Sequence, residues 1–150
     1  KTLPIEVRVS WTFTPRLSLQ AYLQPYLAVG DFSAFKELSA ARTFDFDYYG
    51  EGDSTIAYSD GVYTVDPDGA TGPAASFTFG DPDFNLKSLR GTVVLRWEYR
   101  PGSMLYLVWT RKREDYSHPG EFDLWRDLGD VFRAPGENVF MLKFSYRFEL

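Results

Sequence analysis

The chain has no cysteine, a single histidine and no long apolar run. Without cysteine there is no disulfide framework and no thiolate-held zinc site. No stretch approaches the roughly 20 consecutive apolar residues of a membrane-spanning helix. No Gly-rich phosphate loop, metal-ligand cluster or basic nucleic-acid patch occurs, and a net charge of −5 argues against nucleic acid as a partner. No signal peptide opens the sequence, which begins at "KTLPIEVRVSW", nearly inside a strand. That start fits a mature product or a fragment.

Aromatic residues, by contrast, make up 18% of the chain, mostly Phe and Tyr, which is high for an ordinary soluble domain. They fall in alternating runs. In "VFMLKFSYRFEL" Phe140, Leu142, Phe144, Tyr146, Phe148 and Leu150 share one parity, and Met141, Lys143, Ser145, Arg147 and Glu149 the other. Successive side chains of a strand point to opposite faces, so the run predicts a strand with one aromatic and one largely charged face. "IEVRVSWTF" and "LSLQAYLQPYLAV" alternate in the same way around "TPR" and predict a hairpin. Pro25 has no N–H for a ladder and predicts a bulge or the end of pairing. A second hairpin runs through "LRGTVVLRWEYRPGSMLYLVWTRKRED", where Pro and Gly at the centre of "RPGS" suit a type II turn. Its second strand, Met104 to Arg113, starts apolar on both faces and ends basic, so the pattern leaves its outward face open.

Between these strands lie long segments at about 30–87 and 115–137. From Asp31 to Lys87 eleven Asp or Glu stand against Lys36, Arg42 and Lys87, a local charge of −8. Within it, "DFSAFKELSAA" predicts a short helix capped by Asp31, and the stretch from Thr43 reads as short strands between turns. "FDLWRDLGDVF" predicts a second helix with Phe122, Trp125, Leu128 and Phe132 on one side.

Taken as a meander, the five strands have connections that run short, long, short, long. Both tight turns then lie at one end and both long loops at the other, as in bacterial outer-membrane barrels. The expected fold is all-β, an antiparallel up-and-down meander forming a β-barrel or part of one, with long loops at one end containing short helices. Residues 1–150 would be one barrel domain or the C-terminal segment of a larger barrel. On that reading Trp11, Leu95, Trp97, Tyr99, Phe140, Phe144, Tyr146 and Phe148 face lipid. Arg8, Arg90, Arg96, Glu98, Arg100, Lys143 and Arg147 face the lumen, as an anion path or as a salt-bridged filling. The same alternation also describes a soluble sandwich or closed barrel. Five strands make an open sheet, so strands within Thr43–Phe79, strands before Lys1 or another chain must complete it.

His118 could pair with Asp115 as a hydrolytic dyad, but no Ser motif accompanies it; a solvated loop histidine and no enzyme are expected. Asp66, Asp68, Asp81 and Asp83 are weak calcium candidates, yet Asp before Pro or Gly is ordinary turn chemistry. No cofactor is expected. Tyr48, Tyr49, Tyr58 and Tyr63 could stack on sugars or form core under a loop.

The segments "FTPRLSLQAYLQPYL", "FKEL", "GDPDFNLKSLRGTVVLRWEYRPGSMLYLVWT" and "NVFMLKFSYRF" together resemble the C-terminal region of a family of large bacterial outer-membrane proteins of unassigned function. Those proteins carry an N-terminal module like family 9 carbohydrate-binding domains, followed by a long β-barrel region. The resemblance runs from about Val7 to Phe148, while "LYLVWTRKRED" and the "FEL" ending depart from the pattern. It implies the terminal segment of an outer-membrane barrel, with the lipid bilayer, further strands or partner chains, and barrel-assembly machinery as partners. It carries over no catalytic residue. The alternatives are a soluble, cell-surface or periplasmic all-β binding module, and a subunit assembling through open strand edges.

Overall fold

The computed structural model describes residues 1–148; the part of the last alternating run at Glu149 and Leu150 lies outside them. In chain order the elements are β1 (Thr2–Pro4), β2 (Val7–Thr14), β3 (Leu17–Gly30), β4 (Lys36–Leu38), β5 (Phe46–Tyr48), β6 (Thr55–Ser59), β7 (Val62–Asp66), β8 (Phe77–Gly80), β9 (Phe84–Arg100), β10 (Ser103–Asp115), α1 (Leu124–Arg133) and β11 (Gly136–Ser145). They form two compact units, one from Lys1–Gly30 with the chain from Phe84 onward, the other from Asp31–Asp83.

The first unit is an antiparallel sheet in the order β1-β3-β9-β10-β11, with β2 also on β3. It is the expected meander, and among the described residues no edge closes on another. The β3–β9 pairing runs in one register from Leu17↔Trp97 to Gly30↔Phe84. Pro25 therefore neither bulges β3 nor ends its pairing. The interruption falls on the neighbouring edge strand instead: β1 and β2 pair with β3 on either side of a break at Ile5 and Glu6, level with Pro25. Ile5 N–H still donates to the Pro25 carbonyl at 2.9 Å, which is the half of the ladder that proline can supply. At the β9–β10 turn, Gly102 has φ +75°, the left-handed value that the third position of a type II turn requires.

Helix α1 forms as its spacing predicts, with the Asp123 carboxylate accepting the Arg126 N–H at its start. Its orientation differs from expectation. Asp127, Val131 and the following Ala134 are buried, whereas Trp125 is 81% exposed and Phe132 is exposed too. A buried lysine on β9 explains the rotation, as described below. The buried apolar residues of this unit, among those described, are Leu27, Ala28, Val29, Leu89, Val131 and Ala134, with Leu27 directly across from that lysine.

In the second unit the helix expected over 31–41 does not form. Ala34 has φ +55°, which no helix admits, and Lys36–Leu38 pairs with Phe46–Tyr48. The chain takes strand pairing because Phe35 packs its ring against Tyr63 and Phe79, 4.8 and 5.0 Å between centroids. The strands from Thr55 onward make their own sheet, β6-β7-β8. They hydrogen-bond within that sheet and do not extend the large one.

Candidate membrane-facing surface

The register sorts the side chains of the large sheet into rows. Val9, Ala21, Val93, Trp109 and Phe140 are mutual neighbours across it; so are Trp11, Leu19, Leu95, Leu107 and Leu142; so are Leu17, Trp97, Leu105 and Phe144. All lie on one face, and none is buried. Trp97 is 46% and Phe140 71% exposed. Rings stack along this face, Tyr99 on Phe144 at 5.3 Å and Trp109 on Phe140 at 6.3 Å. A sheet normally buries an apolar face against a second layer. Among the described residues of this unit none forms a second layer over these rows, and a continuous exposed apolar surface marks a contact with lipid, ligand or protein.

The register also settles the face of β10. Leu105, Leu107 and Trp109 share the apolar side and are followed on it by Arg111 and Arg113.

Of the eight apolar candidates, Trp11, Leu95, Trp97, Tyr99, Phe140 and Phe144 fall on this face. Tyr146 and Phe148 do not extend it, because the strand ends at Ser145. Its neighbour β10 begins only at Ser103, opposite which β11 has no further partner. There Arg147 N–H donates to Ser103 Oγ, and Arg100 donates to the Tyr146 hydroxyl with its guanidinium 5.6 Å from the ring. Arg147 thus lies over the turn, against Gly102, rather than in a row of the polar face.

The opposite face carries Arg8, Arg90, Arg96, Glu98, Arg100 and Lys143, as the alternation predicts. They do not form a salt-bridged ladder. Glu98 accepts the Gly102 N–H at 2.9 Å, and Lys143 lies 5.8 Å from the Tyr106 ring. Arg8 pairs with Glu6 at 2.7 Å. Among the described residues Arg90, Arg96, Arg100 and Lys143 make no ion pair within 4.0 Å. Between the Arg90 and Arg96 rows runs an apolar one, Val94, Val108 and Met141, which alternation read strand by strand does not reveal.

At the loop end the same apolar parity is covered, and by polar chemistry. Lys87 is 0% exposed, on the face of Leu89 and Val93. Its Nζ donates to Asp115 Oδ1 at 2.7 Å and to both Ser117 oxygens at 2.8 Å, and lies 3.3 Å from Asp130 and 3.9 Å from Asp127. Asp127 is fully buried and accepts from Arg126 Nε at 3.0 Å and Asn85 Nδ2 at 3.4 Å. This is why α1 turns Asp127 inward and Trp125 outward: an uncompensated buried ammonium costs more than an exposed ring. The donors from Lys87 and Ser117 hold the Asp115 carboxyl down to about 2. With its carboxylate so engaged, Asp115 is not paired with His118, whose Nε2 instead lies 4.0 Å from Asp130. The sequence signal for this cluster was a lysine at an apolar parity position, easily counted as one more loop charge.

The acidic turns use their carboxylates locally. Asp81 accepts the Tyr58 hydroxyl at 2.8 Å and the Asp83 N–H at 3.0 Å; Asp83 accepts the Phe32 N–H; Asp68 accepts the Ala74 N–H. The bond to Asp81, with some burial, raises the Tyr58 hydroxyl above its ordinary value. Asp66 has one buried oxygen without a partner. Among the described residues no three His, Cys, Asp or Glu side chains converge as a metal site would require. Tyr58 and Tyr63 pack on each other at 4.7 Å, and Tyr63 on Phe79 at 5.1 Å, but Tyr58 stays 55% exposed and the fully buried apolar residue of this unit is Val65.

No helix among the described residues is long and apolar enough to cross a membrane. No curated protein and no solved structure matches the chain. One protein family does: a domain of unknown function, DUF5916, matches residues 34–149, which takes in the second unit and the strands from β9 to β11. With well over half of its length matched, the chain belongs to that family.

Proposed function

We propose that this chain is a non-enzymatic segment of a bacterial outer-membrane β-barrel, the C-terminal portion of a larger pore or surface protein linked to carbohydrate binding. The observation that carries the reading is the single-layer sheet. One face is apolar, row after row, and uncovered in its turn half; the other carries hydroxyl, amide and charged groups, with Arg90, Arg96 and Arg100 in no ion pair among the described residues. Outer-membrane barrels put apolar side chains into lipid and polar ones into the lumen. The long strands have 10 to 17 residues, enough for the 9–11 that a tilted crossing needs.

The open edges at β2 and β11 support a further part of the proposal. An unpaired edge in lipid costs several kcal/mol per group, so more strands, of a longer chain or of partner chains, complete the cylinder. The likeness to large outer-membrane proteins with a family-9-like module supports the carbohydrate link. Folding through barrel-assembly machinery follows from the same location.

The test is extraction from native membranes and measurement of the mass of the species containing this chain, before and after boiling. A detergent-requiring species that boiling reduces in size supports the proposal. A stable monomer in the aqueous fraction sinks it.

A further inference from the structure

The apolar face ends, toward the loops, in arginines rather than in more apolar residues. Above Trp109 on β10, Arg111 lies level with Gly91 and Asn138, and Arg113 with Leu89 and Gly136. Both side chains are half-buried. Arg113 lies flat on the sheet: a Cβ on Gly136 would come within 2.5 Å of its Cγ, so the glycine leaves the room that the arginine stem uses. Neither guanidinium has an ion-pair partner within 4.0 Å among the described residues. The Nε of each is buried without a hydrogen-bond acceptor. The neighbouring carboxylates are committed elsewhere, Asp115 to Lys87 and Glu114 to Lys112.

We propose that Arg111 and Arg113, directly above Trp109, bind the phosphate of anionic lipid headgroups at the loop-side rim of the apolar face. The inference rests on the membrane reading and names what that face meets at its edge. The two arginines lie two residues apart on one face, with their Cα atoms about 7 Å apart along the strand. Each offers a planar fork that matches phosphate in bidentate fashion. Their stems cover apolar surface while the heads reach for the headgroup layer. One step below them on the same face stands Trp109, a residue type enriched at membrane–water interfaces. A soluble partner's carboxylate would meet the same forks, but nothing would place it on the rim of a lipid-sized apolar belt.

The test uses the full chain, purified from native membranes with whatever chains complete it and inserted into bilayer discs of equal phosphatidylglycerol and phosphatidylcholine. Native mass spectrometry then counts the lipids retained on release. The expected result is preferential retention of phosphatidylglycerol, at about fivefold per arginine. The preference falls to near unity in Arg111→Gln/Arg113→Gln and partly returns in Arg111→Lys/Arg113→Lys. Added inorganic phosphate does not displace the lipid. Equal retention of the two lipids, a preference unchanged in the glutamine variant, or displacement by free phosphate overturns the proposal while leaving the barrel reading intact. Failure of the chain to enter the discs at all removes both.

Discussion

Strand β9 carries two regions on one parity. Toward the loops Asn85, Lys87 and Leu89 are buried; toward the turn Val93, Leu95 and Trp97 are uncovered. The polar half is hidden and the aromatic half exposed, the reverse of a soluble strand. In the loop half the end of β10, helix α1 and the loop between them supply three aspartates and a serine, and their chemistry fits a buried ammonium. In the turn half none of the described residues of this unit covers the rows. The comparison separates a half buried by this unit's own layers from a half left exposed, which on the proposed reading meets lipid.

The largest expected effect breaks the buried half. Lys87→Met leaves Asp115, Asp127 and Asp130 without their shared cation and costs about 3–5 kcal/mol. Amide exchange in α1 should rise first, since the cluster is what pins the helix; unchanged protection there would show that apolar packing alone holds it. For the uncovered half, Leu95→Arg costs about 2–4 kcal/mol in a bilayer, and Trp97→Arg less, because the cost falls with distance from the midplane. Denaturant titration in lipid vesicles reads this depth order. Complete unfolding of both variants in detergent-free buffer would point to a soluble core.

Acid separates the halves more gently. Asp115 is held at about 2 when folded and returns to its ordinary value near 3.8 when unfolded. A depressed carboxyl stabilises above the unfolded value and loses that contribution as pH falls toward the folded one. About 2 kcal/mol therefore disappears between pH 4 and pH 2. Asp115→Asn should flatten that part of the stability profile, leaving the turn half unaffected. The smallest effect belongs to the polar face: Arg90→Gln and Arg96→Gln break no ion pair and should change stability by no more than about 0.5 kcal/mol. A larger loss would mean that these arginines are paired after all once the sheet is completed.

The long strands were legible because a period of two survives in "IEVRVSWTF" or "VFMLKFSYR" whatever lies outside. Helix α1 was legible for a similar reason, but not its orientation, since hydrophobicity alone turns Trp125 inward and cannot know that Lys87 needs Asp127. The expected helix at Asp31 failed because apolar spacing there served ring packing around Phe35, a tertiary cause. Pro25 was read rightly as a defect and placed on the wrong strand, because a missing N–H affects whichever neighbour would have accepted it. Tyr146 and Phe148 continue the alternation in sequence, but a strand lasts only as long as its neighbour.

The length of β9 has a consequence of its own. Its 17 residues extend about 55 Å, whereas a tilted crossing uses about 11. On the proposed membrane reading a bilayer would leave the remainder uncovered, and the first six residues, Phe84 to Leu89, would stand beyond the lipid as a stalk. They are the stretch over which helix α1 and the Lys87 cluster are folded, which would make that cluster a waterproof collar at the edge of the proposed lipid belt.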